Sequence, residues 1–214
     1  MTFPKALIAA TLFASSLLGA SAAQASIVPF GVQNDVAAAT VTNTWGFTQC
    51  FSATYGTLGL TTAGMLSGCQ GDYLMVAARR TGSSVYEVLA AANYADVTYD
   101  TGTSNTTHVA NGVGWYFNNN YSWGFAGATD VVSRNSCDTA GGAERDRLCW
   151  HTHIGYSGGY RAGSFNGLNG DNGWEKVLLV GKAAPSSNVP EPASLALVGA
   201  ALMGLALARK RKAN

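Results

Sequence analysis

Two imidazoles at His151 and His153 flank a threonine, a spacing that puts both on one face of a strand, as metal sites can use. A third ligand has to come from elsewhere, with His108 and Asp138 as the candidates, and the pair alone reads more simply as surface or hydrogen-bonded histidines. Cys149 lies two residues before His151 and superficially offers a thiol nucleophile, but Cys137 close by favours a disulfide. Asp96, Asp100, Asp130 and Asp138 supply carboxylates for glycoside hydrolysis, although that chemistry depends on separations in space. G-x-S-x-G, H-E-x-x-H and a phosphate-binding glycine loop are all absent from the sequence. Asn169 to Gly173, "NGDNG", lacks the 12-residue calcium-loop pattern and reads as a turn. The expectation is a protein that is not an enzyme and needs neither metal nor cofactor.

The richest stretch for recognition is "GWYFNNNYSWGFAG" at 114–127, six aromatic side chains around three asparagines. Aromatic faces stack on sugar rings and amides hydrogen-bond hydroxyls, so Trp115, Asn118, Asn119, Asn120, Tyr121 and Trp123 are the candidate glycan-binding residues. The same stretch reads as a hairpin in which alternate aromatics enter the core and the asparagines make the turn. The two readings are compatible where rings face outward.

These residues need a scaffold. Short apolar or alternating runs at 37–41, 73–78, 95–99, 114–117, 123–126, 150–154 and 174–180 are separated by Gly, Asn, Asp and Ser turn signals. That rhythm predicts a mainly β domain, a sandwich or jelly roll. One stretch is ambiguous: Val85, Val88, Leu89 and Ala92 fit a short helix, whereas Tyr86, Val88 and Ala90 fit strand alternation. Trp-Gly-Phe occurs at 45–47 and again at 123–125, too short a match to establish a repeat.

Cys50, Cys69, Cys137 and Cys149 can pair in three ways, and nearness along the chain favours Cys50 with Cys69 and Cys137 with Cys149. Disulfides require an oxidising compartment. An N-terminal export label agrees with that. Residues 1–25 carry Lys5, an apolar stretch from 6 to 18 and an Ala-Gln-Ala cleavage site, which reads as a signal peptide removed by signal peptidase. Residues 26–187 then form one extracytoplasmic domain, long enough for its own core. That segment holds eight basic and eleven acidic residues, a net charge of −3, and no basic patch for nucleic acid.

The C-terminus contrasts with this middle. Sixteen uncharged residues at 193–208 are followed by Arg209, Lys210, Arg211 and Lys212. As a helix they span about 24 Å, slightly under a bilayer core of about 30 Å. The basic side chains snorkel and hold the cytoplasmic side, leaving the domain outside the inner membrane. Pro190 and Pro192 forbid a continuous helix just before the span.

Val189-Pro190-Glu191-Pro192, a Gly-containing apolar segment and an Arg-led basic cluster together resemble the PEP-CTERM sorting signal of Gram-negative bacteria. The resemblance covers 188–214. It implies recognition near Pro190-Glu191-Pro192 by an exosortase, an integral-membrane transpeptidase-like enzyme of bacteria that make exopolysaccharide. It also implies passage from the inner membrane to the cell surface or extracellular matrix. The same tail is labelled the C-terminal region of ice-binding proteins, a label without implication for ice, since the tail is attached to many unrelated exported domains. The resulting expectation is an exported surface or matrix protein that binds exopolysaccharide. The alternative is a secreted carbohydrate-active hydrolase with the same tail.

Overall fold

The computed structural model describes residues 25–184, apart from Ala143 and Ile154. The expected signal peptide, the span at 193–208 and the sorting motif therefore lie outside the described residues. Among the described residues, no helix is long and apolar enough to cross a membrane.

In chain order the strands are β1 (Gln33–Ala37), β2 (Thr48–Thr54), β3 (Tyr73–Arg80), β4 (Val85–Asn93), β5 (His108–Ala110), β6 (Val113–Phe117), β7 (Ser122–Gly127), β8 (Arg134–Asn135), β9 (Cys137–Asp138), β10 (Leu148–His151), β11 (Gly159–Ala162) and β12 (Trp174–Gly181). Helices α1 (Thr62–Leu66) and α2 (Tyr94–Val97) follow β2 and β4. One antiparallel sheet has the order β1-β4-β3-β12-β2, and a second has β11-β10-β7-β6-β5. A two-stranded ribbon joins β8 to β9. The mainly β expectation is met.

Strand alternation divides the first sheet between two apolar layers. Leu74, Val76 and Ala78 of β3, Val88, Ala90 and Ala92 of β4, and Trp174 and Leu178 of β12 join one cluster. Trp115, Phe117, Trp123, Phe125, Leu148 and Trp150 of the second sheet belong to that same cluster. The opposite face of the first sheet, with Met75, Ala77, Leu89, Ala91, Val177 and Leu179, is covered by Val41 and Phe47 from the segment after β1. Both faces of β3, β4 and β12 are thus buried, so their sequences read as continuous apolar runs. This explains the ambiguity at 85–92: it is β4, fully strand, paired with β1 and β3.

The outer face of the second sheet is covered by the chain leading into and out of β8 and β9, anchored by the Cys137–Cys149 disulfide. Charged groups fix that cover. The buried Asp138 carboxylate accepts hydrogen bonds from the Ser133 and Ala140 amides and from Arg147 at 2.5 Å. Arg161 donates to the carbonyls of Ala140, Gly142 and Glu144. Buried charges persist where such partners replace the lost water. Close approach also demands glycine: a Cβ at Gly159 would overlap the ring of Tyr55, whose hydroxyl donates to the Arg161 carbonyl.

Three expected strands are corrected. The run at 37–41 only begins in β1 and then enters a π-helical turn, Thr40–Thr44. The run at 95–99 is α2 and its exit, closed by the Thr98 hydroxyl donating to the Tyr94 carbonyl at 2.8 Å. The run at 150–154 leaves the sheet after His151. In each case a local hydrogen bond or turn ends the ladder where hydropathy alone continues it.

Candidate functional site

The hairpin reading of 114–127 describes β6 and β7, with Phe117 opposite Trp123 and Trp115 opposite Phe125. Trp115 and Trp123 are corrected as sugar-stacking candidates, because their rings are 1% and 0% exposed. Trp115 packs edge-on to Phe125 and donates from its indole to the Ala110 carbonyl at 3.2 Å. Trp123 meets Phe117 and Trp150 edge-on, and its indole donates to the Val97 carbonyl at 3.1 Å. A flat sugar cannot reach either face. Tyr121 is half-buried; its hydroxyl donates to the Arg134 carbonyl, and the Arg134 guanidinium lies 5.6 Å from its ring centre.

The three asparagines make the turn and point the site elsewhere. Asn118 accepts from the Asn120 amide at 3.0 Å, an Asx-type turn, and its own amide donates to Asp100. Asn120 is exposed. Asn119 accepts from the Thr62 hydroxyl at 2.6 Å, which ties the turn to α1 across 57 positions of sequence.

That contact closes one side of a recess of about 420 Å³ lined by Thr61, Thr62, Ala63, Leu66, Tyr94, Thr98, Phe117, Asn119 and Thr152. Its floor is apolar and its rim carries threonine hydroxyls and an amide. Each wall is fixed locally. Thr61 caps α1 by accepting from the Gly64 amide at 3.0 Å. The Cys50–Cys69 disulfide fastens the chain just after α1 to β2, with the two Cα atoms 5.1 Å apart. Thr152 donates to the Asn118 carbonyl and accepts from the Tyr121 amide. Trp123, from beneath, hydrogen-bonds α2. The Tyr94 phenol, pushed up by desolvation, stays neutral at physiological pH. With the Thr61 and Thr98 hydroxyls already oriented by their own hydrogen bonds, their remaining lone pairs can meet a ligand at little ordering cost. An apolar floor with a few placed polar groups suits one face of a sugar ring.

Of the six expected binding residues, only Asn119 lines this recess. The others lining it come from stretches at 61–66, 94–98, 117 and 152, which carry no common motif.

The other chemical candidates occupy separate places. His151 bonds Ser136 Oγ at 2.8 Å through Nδ1 and Asn169 Oδ1 at 3.2 Å through Nε2, and burial pushes its pKa down. His153 stacks on Tyr156. His108 pairs with Asp96 at 2.8 Å. Among the described residues, no group of three or more His, Cys, Asp or Glu is placed to hold a metal ion. Cys149 is consumed in its disulfide. Asp96 is held below the usual carboxylate range by its hydrogen bond to His108, the reverse of what a proton-donating acid requires. Asp130 and Asp138 both contact Arg147.

Residues 188–212 match the family model for the PEP-CTERM protein-sorting motif. Val189 to Pro192 and the basic residues 209–212 fall within the match. The motif implies export, processing by an exosortase and sorting to the bacterial cell surface. No curated protein and no solved structure matches the chain.

Proposed function

We propose that this chain is an exported surface or matrix protein whose β-domain, built as a sandwich, binds exopolysaccharide through the recess between α1, α2 and the β6–β7 turn. It acts as a binding module rather than an enzyme. Signal peptidase removes residues 1–25, and the helix at 193–208 holds the chain in the inner membrane until the exosortase acts. The recess carries this reading: Ala63, Leu66 and Tyr94 offer apolar surface while Asn119, Thr61 and Thr98 place hydrogen-bonding groups beside it.

Ala63 is exposed on α1 and lines the recess, so Ala63→Trp fills it without entering the core. In affinity electrophoresis through gels holding dextran, xyloglucan or alginate, the full-length oxidised protein is expected to be retarded by at least one polymer. Ala63→Trp is expected to run at its unretarded mobility with an unchanged melting temperature. Equal retardation of the two proteins would reject the recess as the binding site.

A further inference from the structure

A second recess lies near the first, lined from the residue that follows Thr98. It measures about 380 Å³ and is lined by Tyr99, Asp100, Thr101, Ser104, Thr106, Thr107 and His108. Thr98 lines one recess and the next residue, Tyr99, lines the other, which makes the two recesses neighbours on the surface. The asparagine turn spans the same boundary: Asn119 lines the first recess while Asn118 holds Asp100 in the second.

Tyr99 is unlike every other aromatic residue considered above, because it is 55% exposed yet firmly held. One face of its ring stacks on His108 with centres 4.5 Å apart and planes at 24°. His108 is fixed by Asp96 at 2.8 Å, and Asp96 accepts in turn from the Asn93 amide at 3.0 Å. The chain Asn93–Asp96–His108 thus braces the ring from behind and leaves its other face to solvent. An exposed ring normally loses rotamer freedom when it binds, and here that cost has been met in the fold. Beside it Asp100 accepts from the Gly102 amide at 2.8 Å and from Asn118 at 3.0 Å, and its remaining lone pairs can accept from ligand hydroxyls.

We propose that Tyr99 is a stacking platform for a neutral pyranose ring and that Asp100 accepts hydrogen bonds from its hydroxyls, forming a second subsite for a polysaccharide chain that crosses from the first recess. The proposal rests on the polysaccharide-binding reading and gives it a ligand class. The carboxylate beside the platform disfavours uronic-acid polymers, because a like charge at that distance is repulsive. Neutral glucans carry no such penalty.

The same electrophoresis, with the full-length oxidised protein, separates the two readings. Retardation is expected in gels holding the neutral polymers dextran or xyloglucan and to be weaker in alginate. Tyr99→Ala is expected to weaken the apparent affinity about tenfold. Tyr99→Phe keeps the ring and is expected to stay within about twofold, since stacking does not use the hydroxyl. As an independent readout, saturation-transfer NMR on wild type should carry magnetisation from tyrosine ring protons to sugar C–H protons, and Tyr99→Phe should reduce that transfer to the part supplied by Tyr94 of the first recess while adding transfer at phenylalanine frequencies. If Tyr99→Ala binds like wild type while Ala63→Trp does not, the second subsite is rejected and the first stands. Stronger retardation in alginate overturns the neutral-sugar assignment. A wild-type protein retarded by none of the polymers overturns both readings.

Discussion

Replacing Trp123 by alanine separates core from binding surface at the residue where sequence and structure diverge most. The ring is fully buried, with Phe117 and Trp150 edge-on at 5.1 and 5.8 Å between centres. Truncating such a side chain costs about 3–5 kcal/mol in lost transfer energy and unfilled cavity. The Val97 carbonyl also loses the indole donor it holds at 3.1 Å, a further penalty of about 1 kcal/mol if water reaches it only in part. A total of about 4–6 kcal/mol compares with a typical net stability of about 5–15 kcal/mol. For a domain of this size each kcal/mol lowers the melting temperature by about 2–4 °C, so Trp123→Ala should melt roughly 8–24 °C below wild type. Differential scanning calorimetry of the oxidised protein measures this. Trp123→Phe, which keeps most of the bulk and loses the donor, should fall between the two. Because the lost hydrogen bond lies on α2, hydrogen exchange at 94–99 should accelerate in both variants. A melting temperature for Trp123→Ala within about 2 °C of wild type would refute the core placement and return this ring to the surface.

Two further expectations concern a buried charge and the tail. Lys176 is fully buried on β12, donates to the Ser157 carbonyl, and is pushed by desolvation from 10.5 down to about 8. Between pH 8 and 10.5 the unfolded chain therefore binds more protons than the folded one, so stability should rise with pH there, by up to about 3 kcal/mol. Tyr55 and Tyr116, whose pKa values burial pushes up, oppose this once the unfolded tyrosines ionise above about pH 10. Urea melts from pH 7.5 to 9.5 should show the rise in wild type. Lys176→Met should be more stable at pH 7 and flat across that range, and a rise that survives the substitution assigns it to other groups. In a bacterium with an exosortase, wild-type protein should appear shortened at its C-terminus by immunoblot and mass spectrometry. Glu191→Ala should accumulate at full length, and normal shortening of that variant would remove the Pro190-Glu191-Pro192 segment from recognition.

The sequence by itself determined the address and much of the framework. Val189 to Pro192, the apolar stretch and the basic cluster form a local pattern that needs no partner in space, which is why it is readable and why the family model matches there. Cysteine nearness suggested the two disulfides that the fold contains, because closing a short loop asks least of the chain. β3 and β12 of the first sheet and β6 and β7 of the second were visible as apolar runs. Which ring faces solvent was not. Trp123 and Tyr99 look alike in sequence, but one is enclosed by its cross-strand neighbours Phe117 and Trp150 in the core cluster and the other meets a single histidine, and only long-range pairing makes that difference. The same cause left β4 ambiguous between helix and strand, because both of its faces are buried. It also hid the recess, whose walls lie far apart along the chain until α1, α2, Thr152 and the β6–β7 turn converge. A site made of common threonines, two aromatics and one amide from separate stretches has no local signature; its chemistry exists only as an arrangement.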